Sequence, residues 1–489
     1  MKKIKKYCLA LMVICFVQVS CTKDFESINT DPERPKNITP GVILGQVQYR
    51  MVNNTMTAAK GFTHELMQVQ APRSSPGGNG LHRYEVNPGA GIWNSIFEYM
   101  TDIEDVYDKA VELNEPNYQA IALVYKSWGY SILTDLYGDV PYSQAGKAAE
   151  GVFSVPFDKQ KDIYTSILAN LEKANELFDT SVPLKYGGDL LYDSNAGSGT
   201  VPGILKWKKF TNSLRLRLLL RLSARNGELN VNEQITKILA DPAKFPVFTS
   251  NADEAIFKYP GSFPYFNPYY NARQLDWRDG TYVTKFFINK MNTDNDPRRA
   301  VWFTRVNNAF TGIESGYPVT TEYQVGANSS YNDVLKTLPQ LGVMMTYSEV
   351  ESIKAELALK GMNTGKTPKQ HYEAAIAASM TQWGQTMPAG YLEQTGVAYN
   401  PSAPLEKQLE KIMEQKYYAY FFVDYQSWFE KRRTGYPVLP RGSGIPAERS
   451  FPNRVPYPGY LQSLNPENLA VAVSAMGGDN STIKVWWNK

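Results

Sequence analysis

Apolar positions recur at three- and four-residue steps through QAIALVYKSWGYSILTDLYGDVP, residues 119–141, where Ile121, Val124, Tyr125, Trp128, Ile132, Leu133 and Leu136 share one helical face. Gly138 and Pro141 act as stop signals. The segment just before it, IWNSIFEYMTDIEDVYDKAVEL, has the same period, and the two predict an antiparallel hairpin. FDKQKDIYTSILANLEKANELF and ILKWKKFTNSLRLRLLLRLSARN predict a second pair across a Gly/Ser/Tyr-rich loop. YSEVESIKAELALKG and KQHYEAAIAASMTQWG predict a third, and LEKQLEKIMEQKYYAYFFVDYQSWFEKRR predicts one last long helical stretch. Helix pairs with short turns point to tetratricopeptide-like packing, with Ala355, Ala375 and Ala378 where helices approach closely. The repeats are degenerate and interrupted, which argues against a regular solenoid. Between residues 241 and 345 the period gives way to Pro, Gly, Asn and aromatics, and so long an irregular segment in a compact domain is either functional or holds elements that the pattern does not reveal. No Ser/Gly-rich or Pro-rich linker divides the chain, so the expected class is mainly α: helix pairs carrying one large irregular loop region.

The first residues belong to a different physical regime. Lys2, Lys3, Lys5 and Lys6 precede the apolar run YCLALMVICFV, and Ser20 stands before Cys21, the order of a secretory leader over residues 1–20. The run falls short of the roughly 20 apolar residues that a bilayer-spanning helix needs. Cleavage there removes Cys8 and Cys15, so Cys21 becomes the first residue and only cysteine of the mature chain, with no intramolecular disulfide available. The site resembles a bacterial lipobox, with Gln18 where leucine is usual. Cys21 is therefore expected to carry lipid and anchor the chain, with residues 21–40 as tether and 21–489 as one domain. Removing the four leader lysines from 51 Lys and Arg leaves 47 against 48 Asp and Glu, a net charge of −1. With no basic excess, nucleic acid is not an expected partner.

Most candidate chemistry fails on spacing. GMNTGKT, residues 361–367, has three residues between its first glycine and Gly-Lys where a phosphate loop needs four, and it follows a helical segment; it predicts a helix-to-helix turn. NTDNDPRR places Pro297 where a calcium loop requires glycine, and predicts a turn capped by Asp296. His64, His82 and His371 are far apart, no H-E-x-x-H or G-x-S-x-G occurs, and neither metal, cofactor nor catalytic histidine is expected. A glycosidase needs two carboxylates, and Asp276 with Asp279 is the best available pair. Arg217, Arg221 and Arg225 form an i, i+4 stripe expected to pair with neighbouring helices.

The positive signal is aromatic. YPGSFPYFNPYYNARQLDWRDGTY, residues 259–282, interleaves rings with prolines. Rings can stack on the C–H face of a sugar while Asn, Asp and Arg take its hydroxyls. The expected binding residues are Trp277, Tyr265, Tyr269 and Tyr270 as stacking surfaces and Asn271, Arg273 and Asp276 as hydroxyl partners, with Tyr84 facing them from the earlier loop.

The ordered set CTKDFESINTDPERP, LTDLYGDVPYSQA, WKKFTNSLRLRLLLR, NDPRR, YSEVESIKAELALKG, HYEAAIAASM, IMEQKYYAYFF, WFEKRRTGYPVL and NRVPYPGYLQSLNPEN resembles the SusD/RagB family of outer-membrane nutrient-binding lipoproteins, in its starch-binding branch. The resemblance implies four tetratricopeptide-like helix pairs with irregular loops as the ligand face. It also implies a partner, a TonB-dependent transporter barrel of the SusC type on which the lipoprotein sits as a lid, and attachment by lipid on Cys21 to the outer face of the outer membrane. The implied role is non-enzymatic capture of an oligosaccharide, a peptide or another nutrient. A surface hydrolase and a helical-repeat scaffold stand as the alternatives. One departure is local: the family's Tyr-Pro-x-x-Glu, followed by x-x-x-Asn, is matched by Tyr457, Pro458 and Asn465, with Leu461 in place of the glutamate.

Overall fold

Helix α1 (Pro40–Ala58) packs against α2 (Gly91–Glu112), which turns back through three residues into α3 (Pro116–Tyr137). This is a computed structural model, and it describes residues 38–75, 80–197 and 202–489. The leader, Cys21 and nearly all of the tether lie outside the described residues. From Pro40 to Lys489 the chain forms one compact unit.

The predicted hairpins are present. α4 (Gln160–Leu177) lies against both α3 and α5 (Pro202–Arg221), and α6 (Val231–Ala240) packs on α5. Because α2, α4 and α5 all pack on α3, that helix is buried nearly all round rather than on the single face its period suggested. Its one buried acid, Asp135, is saturated: it accepts from Arg221 at 2.6 Å, the Tyr164 hydroxyl at 2.6 Å and the Trp487 indole at 2.7 Å. Arg217 and Arg221 of the arginine stripe pair across helices as expected, Arg217 forking onto Glu349 and donating to the Met344 carbonyl. Arg225 lies past the end of α5, in a 3-10 turn, and donates to the Trp486 carbonyl.

Beyond a short helix α7 (Lys285–Thr293), α8 (Tyr347–Leu359) and α9 (Pro368–Gln382) form the third pair, with Ala355, Ala375 and Ala378 buried. GMNTGKT is the turn between them: Gly361 and Gly365 take positive φ, and Thr367 with Gln370 forms a capping box on α9. Asp296 caps the NTDNDPRR turn, accepting the Arg298 N–H at 2.9 Å and its guanidinium at 2.6 Å.

The last long stretch divides. α10 (Leu405–Ala419) and α11 (Gln426–Thr434) are separated by Phe422 in the left-handed region, φ 63°. The turn drives two adjacent rings into the core: Phe421 stacks on Trp302 at 4.3 Å and Phe422 meets His64 at 4.8 Å. Aromatic packing outweighs the helical period there. Behind the break a buried charge network ties three helices: Arg433 of α11 forks onto Glu356 of α8 at 2.7 and 2.6 Å, while Glu430 takes Arg433 at 2.7 Å and Lys416 of α10 at 2.8 Å. Near the C-terminus, before α12 (Pro466–Met476), Leu461 is buried, while the Tyr457 hydroxyl donates to Asp139 O and Asn465 to Val155 O.

Among the described residues, four short strands were not predicted. β1 (Gln70–Pro72) pairs antiparallel with β3 (Thr281–Val283), Ala71 opposite Tyr282, and β2 (Ala255–Phe257) with β4 (Gly342–Met345), Ile256 opposite Val343. β2 and β3 bracket the aromatic segment, so both its ends are fixed in backbone ladders.

Candidate functional site

The aromatic loop between β2 and β3 is backed by residues 332–336. Buried Asn267 donates to Leu335 O at 3.1 Å and accepts from Tyr269 N at 2.9 Å. Lys336 donates to Ala272 O at 2.7 Å, Arg278 pairs with Asp333 at 2.9 Å, and the Tyr49 hydroxyl donates to Phe266 O at 2.9 Å. With its backbone groups satisfied in this way, the loop is a built wall rather than a loose connection.

The wall has two layers. In the inner one Trp277 is 0% exposed, with Tyr269 at 4.9 Å and Tyr331 at 5.3 Å between ring centroids, and its indole N–H reaches Asn332 O at 3.3 Å. The Lys60 ammonium stands 5.5 to 5.8 Å from the centroids of these three rings and donates to Asp276 O at 3.3 Å. Lys60 and Trp277 each sit on a single π-helical turn, Ala59–Thr63 and Leu275–Asp279, a geometry frequent at functional sites. Burial lowers the Lys60 ammonium to about 8, against an opposing pull from Asp276.

The outer layer meets solvent. Tyr270 is 43% exposed and stacks on Phe266 at 4.8 Å; Phe263 is 87% exposed, and Leu275 and Asn271 are exposed beside it. Arg273 and Asp276 form a two-point ion pair at 2.6 and 3.0 Å. Bonding from Arg273 holds the Asp276 carboxyl below the ordinary carboxylate range. A glycosidase acid needs the opposite shift.

The structure thus brings Tyr270, Asn271, Arg273 and Asp276 together at the surface with half-buried Tyr269 behind them, and corrects two expectations, those for Trp277 and Tyr84. Trp277 offers no stacking face, because Tyr269 and Tyr331 crowd it; it supports the wall from within. Tyr265 is half-buried with its ring edge-on to Tyr49 at 5.1 Å. Tyr84 is buried against Phe451 at 5.2 Å and does not join the site. Lys60 was missed, since one lysine in a helical stretch carries no local signal.

Lys60 gives a test of the inner layer. Its ammonium titrates at about 8 in the fold against 10.5 when free, so its charge penalises folding below about 8 and the penalty fades as pH rises towards 10.5. Lys60→Met is expected to raise unfolding free energy by no more than about 1–2 kcal/mol at neutral pH, since each tenfold loss of proton affinity on folding costs ~1.4 kcal/mol while the variant gives up the ammonium's ring contacts and its bond to Asp276 O. Paired urea titrations should show that gain shrinking towards pH 10, and a gain independent of pH would contradict the assignment.

Comparison with protein families places the chain. Residues 32–458 match the SusD-like family described as starch-binding and associating with the outer membrane, and the chain belongs to that family. Its description names binding, not catalysis. Solved structures with the same fold include a SusD homologue of Bacteroides fragilis, 24% identical with TM-score 0.76, covering 93% of this chain and 100% of its own. A SusD homologue of Bacteroides uniformis is 25% identical with TM-score 0.76, covering 91% and 99%. A chitin-binding SusD homologue of Flavobacterium johnsoniae is 23% identical with TM-score 0.76, covering 92% and 98%. No curated protein matches. Among the described residues, no helix is long and apolar enough to cross a membrane.

Proposed function

We propose that this protein captures a nutrient, an oligosaccharide foremost, on the outer layer of the aromatic loop and passes it to a TonB-dependent outer-membrane barrel of the SusC type. In this reading lipid on Cys21 holds the chain at the outer cell surface, and no covalent chemistry is done on the ligand. The observation that carries the reading is exposed Tyr270, stacked on half-buried Phe266, beside Asn271 and the Arg273–Asp276 pair. It supplies a flat apolar face and adjacent charged hydrogen-bonding groups, which is what a sugar ring with equatorial hydroxyls demands.

Calorimetric titration of the mature Cys21→Ala chain against maltooligosaccharides, chitooligosaccharides and peptides tests it. One glycan series should saturate, and Tyr270→Ala should weaken it about 3- to 10-fold, the worth of one stacked ring. Stability should change by no more than about 0.5 kcal/mol, as for an exposed residue. Binding of peptides alone would keep capture and overturn the sugar; reducing-sugar release lost in Asp276→Asn would replace capture by hydrolysis. Detergent purification of the lipid-bearing chain should bring a β-barrel with it, and its absence would remove the transporter from the proposal.

A further inference from the structure

A second cavity, of about 330 Å³, opens between α2, α3 and the segment that follows α3, and no residue of the aromatic loop lines it. Phe97 of α2 and Tyr130 of α3 form its apolar floor, with the Tyr130 ring edge-on to Tyr142 at 4.6 Å. The wall beyond them is fixed by Asp158, which accepts the Tyr142 N–H at 2.9 Å, the Ser143 N–H at 2.9 Å and the Ser143 hydroxyl at 2.7 Å.

Tyr130 is 2% exposed, yet its hydroxyl has no hydrogen-bond partner among the described residues. That hydroxyl is not one of the sealed polar atoms of the core: it keeps surface, and Tyr130 lines the cavity. Burial raises the phenol, and Glu104 and Tyr142 of the same lining raise it further, so it stays protonated with its oxygen free to accept. Buried polar groups in native folds are almost always paired, and this one faces the space a ligand would fill. Charge is the second feature. Lys126 pairs with Glu104 and stands 5.6 Å from the Tyr142 ring centroid, so an ammonium held between a carboxylate and a ring is already built into this wall. Asp105, Asp108 and Glu150 remain, all exposed and in no ion pair among the described residues. Only Lys147 opposes them, which leaves the rim two negative charges in surplus.

We propose that this cavity is a second ligand site, for a primary amine on a short apolar stem, its ammonium taken by Asp105, Asp108 and the Tyr130 hydroxyl and its stem by Phe97. A cleft of one surplus sign concentrates ions of the other. The ammonium brings three N–H donors and no acceptor, which suits two carboxylates and an idle phenol oxygen. A bare metal ion would leave the aromatic floor unused, and among the described residues no group of carboxylates or histidines is placed to ligate one. The volume lies within the ordinary range for small-molecule sites. The inference goes beyond capture at the aromatic loop and stands without it.

The test is saturation-transfer NMR titration of the mature Cys21→Ala chain with butylamine and with Nα-acetyl-lysine amide, each beside its N-acetylated neutral counterpart, and with calcium as competitor. Tyr130→Phe removes one hydroxyl that has no internal partner, and Asp105→Asn with Asp108→Asn changes two exposed positions, so both variants should melt close to the parent temperature. At least one amine should bind the parent, and its neutral counterpart at least about tenfold more weakly. The double asparagine variant should weaken that amine at least about tenfold and Tyr130→Phe at least about threefold, while Tyr270→Ala should bind it as the parent does. Butylamine alone would mark a free amine as the ligand, and the lysine derivative alone a peptide side chain. Absence of amine binding overturns the site, as does equal binding of the neutral counterpart, displacement of the amine by equimolar calcium, or an affinity that neither variant changes. Failure of the aromatic-loop reading is registered separately, by Tyr270→Ala in the oligosaccharide titration.

Discussion

Arg433→Met should lower unfolding free energy by about 3–5 kcal/mol at neutral pH, because it strands Glu356 and Glu430 in the core without their shared partner. The Arg433 side chain is 7% exposed, and its two-point bond to Glu356 joins α11 to α8 while Glu430 carries the link on to Lys416 of α10. Burial alone would raise both carboxyls, yet the facing cations outweigh it and hold both below the ordinary range. A carboxyl depressed in the fold contributes stability that is present above its free value near 4.5 and is lost as pH falls towards its folded value. In the variant Lys416 still faces Glu430 and Lys360 still faces Glu356, so burial is opposed more weakly than in the parent, and acid that protonates the carboxyls relieves part of the deficit. The deficit in urea titrations should therefore be largest near neutral pH and shrink below about 4.5. An equal deficit at both pH values would mean that Arg433 acts through packing alone. The exposed pair Lys407–Glu410 is the control, and breaking it should leave stability nearly unchanged.

Trp277→Ala should cost about 3–5 kcal/mol, the range for deleting a large buried ring, and should also weaken ligand binding although Trp277 touches no ligand. Its indole fills the space between Tyr269, Tyr331 and the Lys60 ammonium, so removing it releases the rings behind Tyr270. Trp277→Phe should recover part of both losses. The pattern to look for is a correlated fall in stability and affinity for Trp277→Ala, against a fall in affinity alone for Tyr270→Ala. A Trp277→Ala protein as stable as the parent but unable to bind would put Trp277 in the outer layer after all.

The helical half was legible because its signals are local. Period and stop residues such as Gly138 and Pro141 sit within a few positions of one another. α1 was missed because VILGQVQYRMVNNTMT follows the tether segment and has a weak apolar period. The division at Phe422 was missed because it is decided by Trp302 and His64, remote in sequence. Four strands of three or four residues carry too little pattern to be read. In the aromatic segment, composition located the wall but could not sort rings into layers. Trp277 and Tyr270 lie seven residues apart in one loop, and only the backing by Tyr331 and Asn332 sets which is buried.

On the proposed reading, the two-layered wall separates what the fold needs from what the ligand would meet. Phe263, Tyr270, Asn271, Arg273 and Leu275 project from a loop whose backbone is fixed by Asn267, Lys336 and the two ladders, so exchanging them leaves the core intact. If the outer layer is the binding face, as proposed, a lineage can retarget it to a new nutrient one outer residue at a time, each step nearly free of folding cost, while inner positions such as Trp277 and Tyr331 stay fixed. Diversity among descendants should gather in those outer positions, and drift should be slow in the rings beneath them.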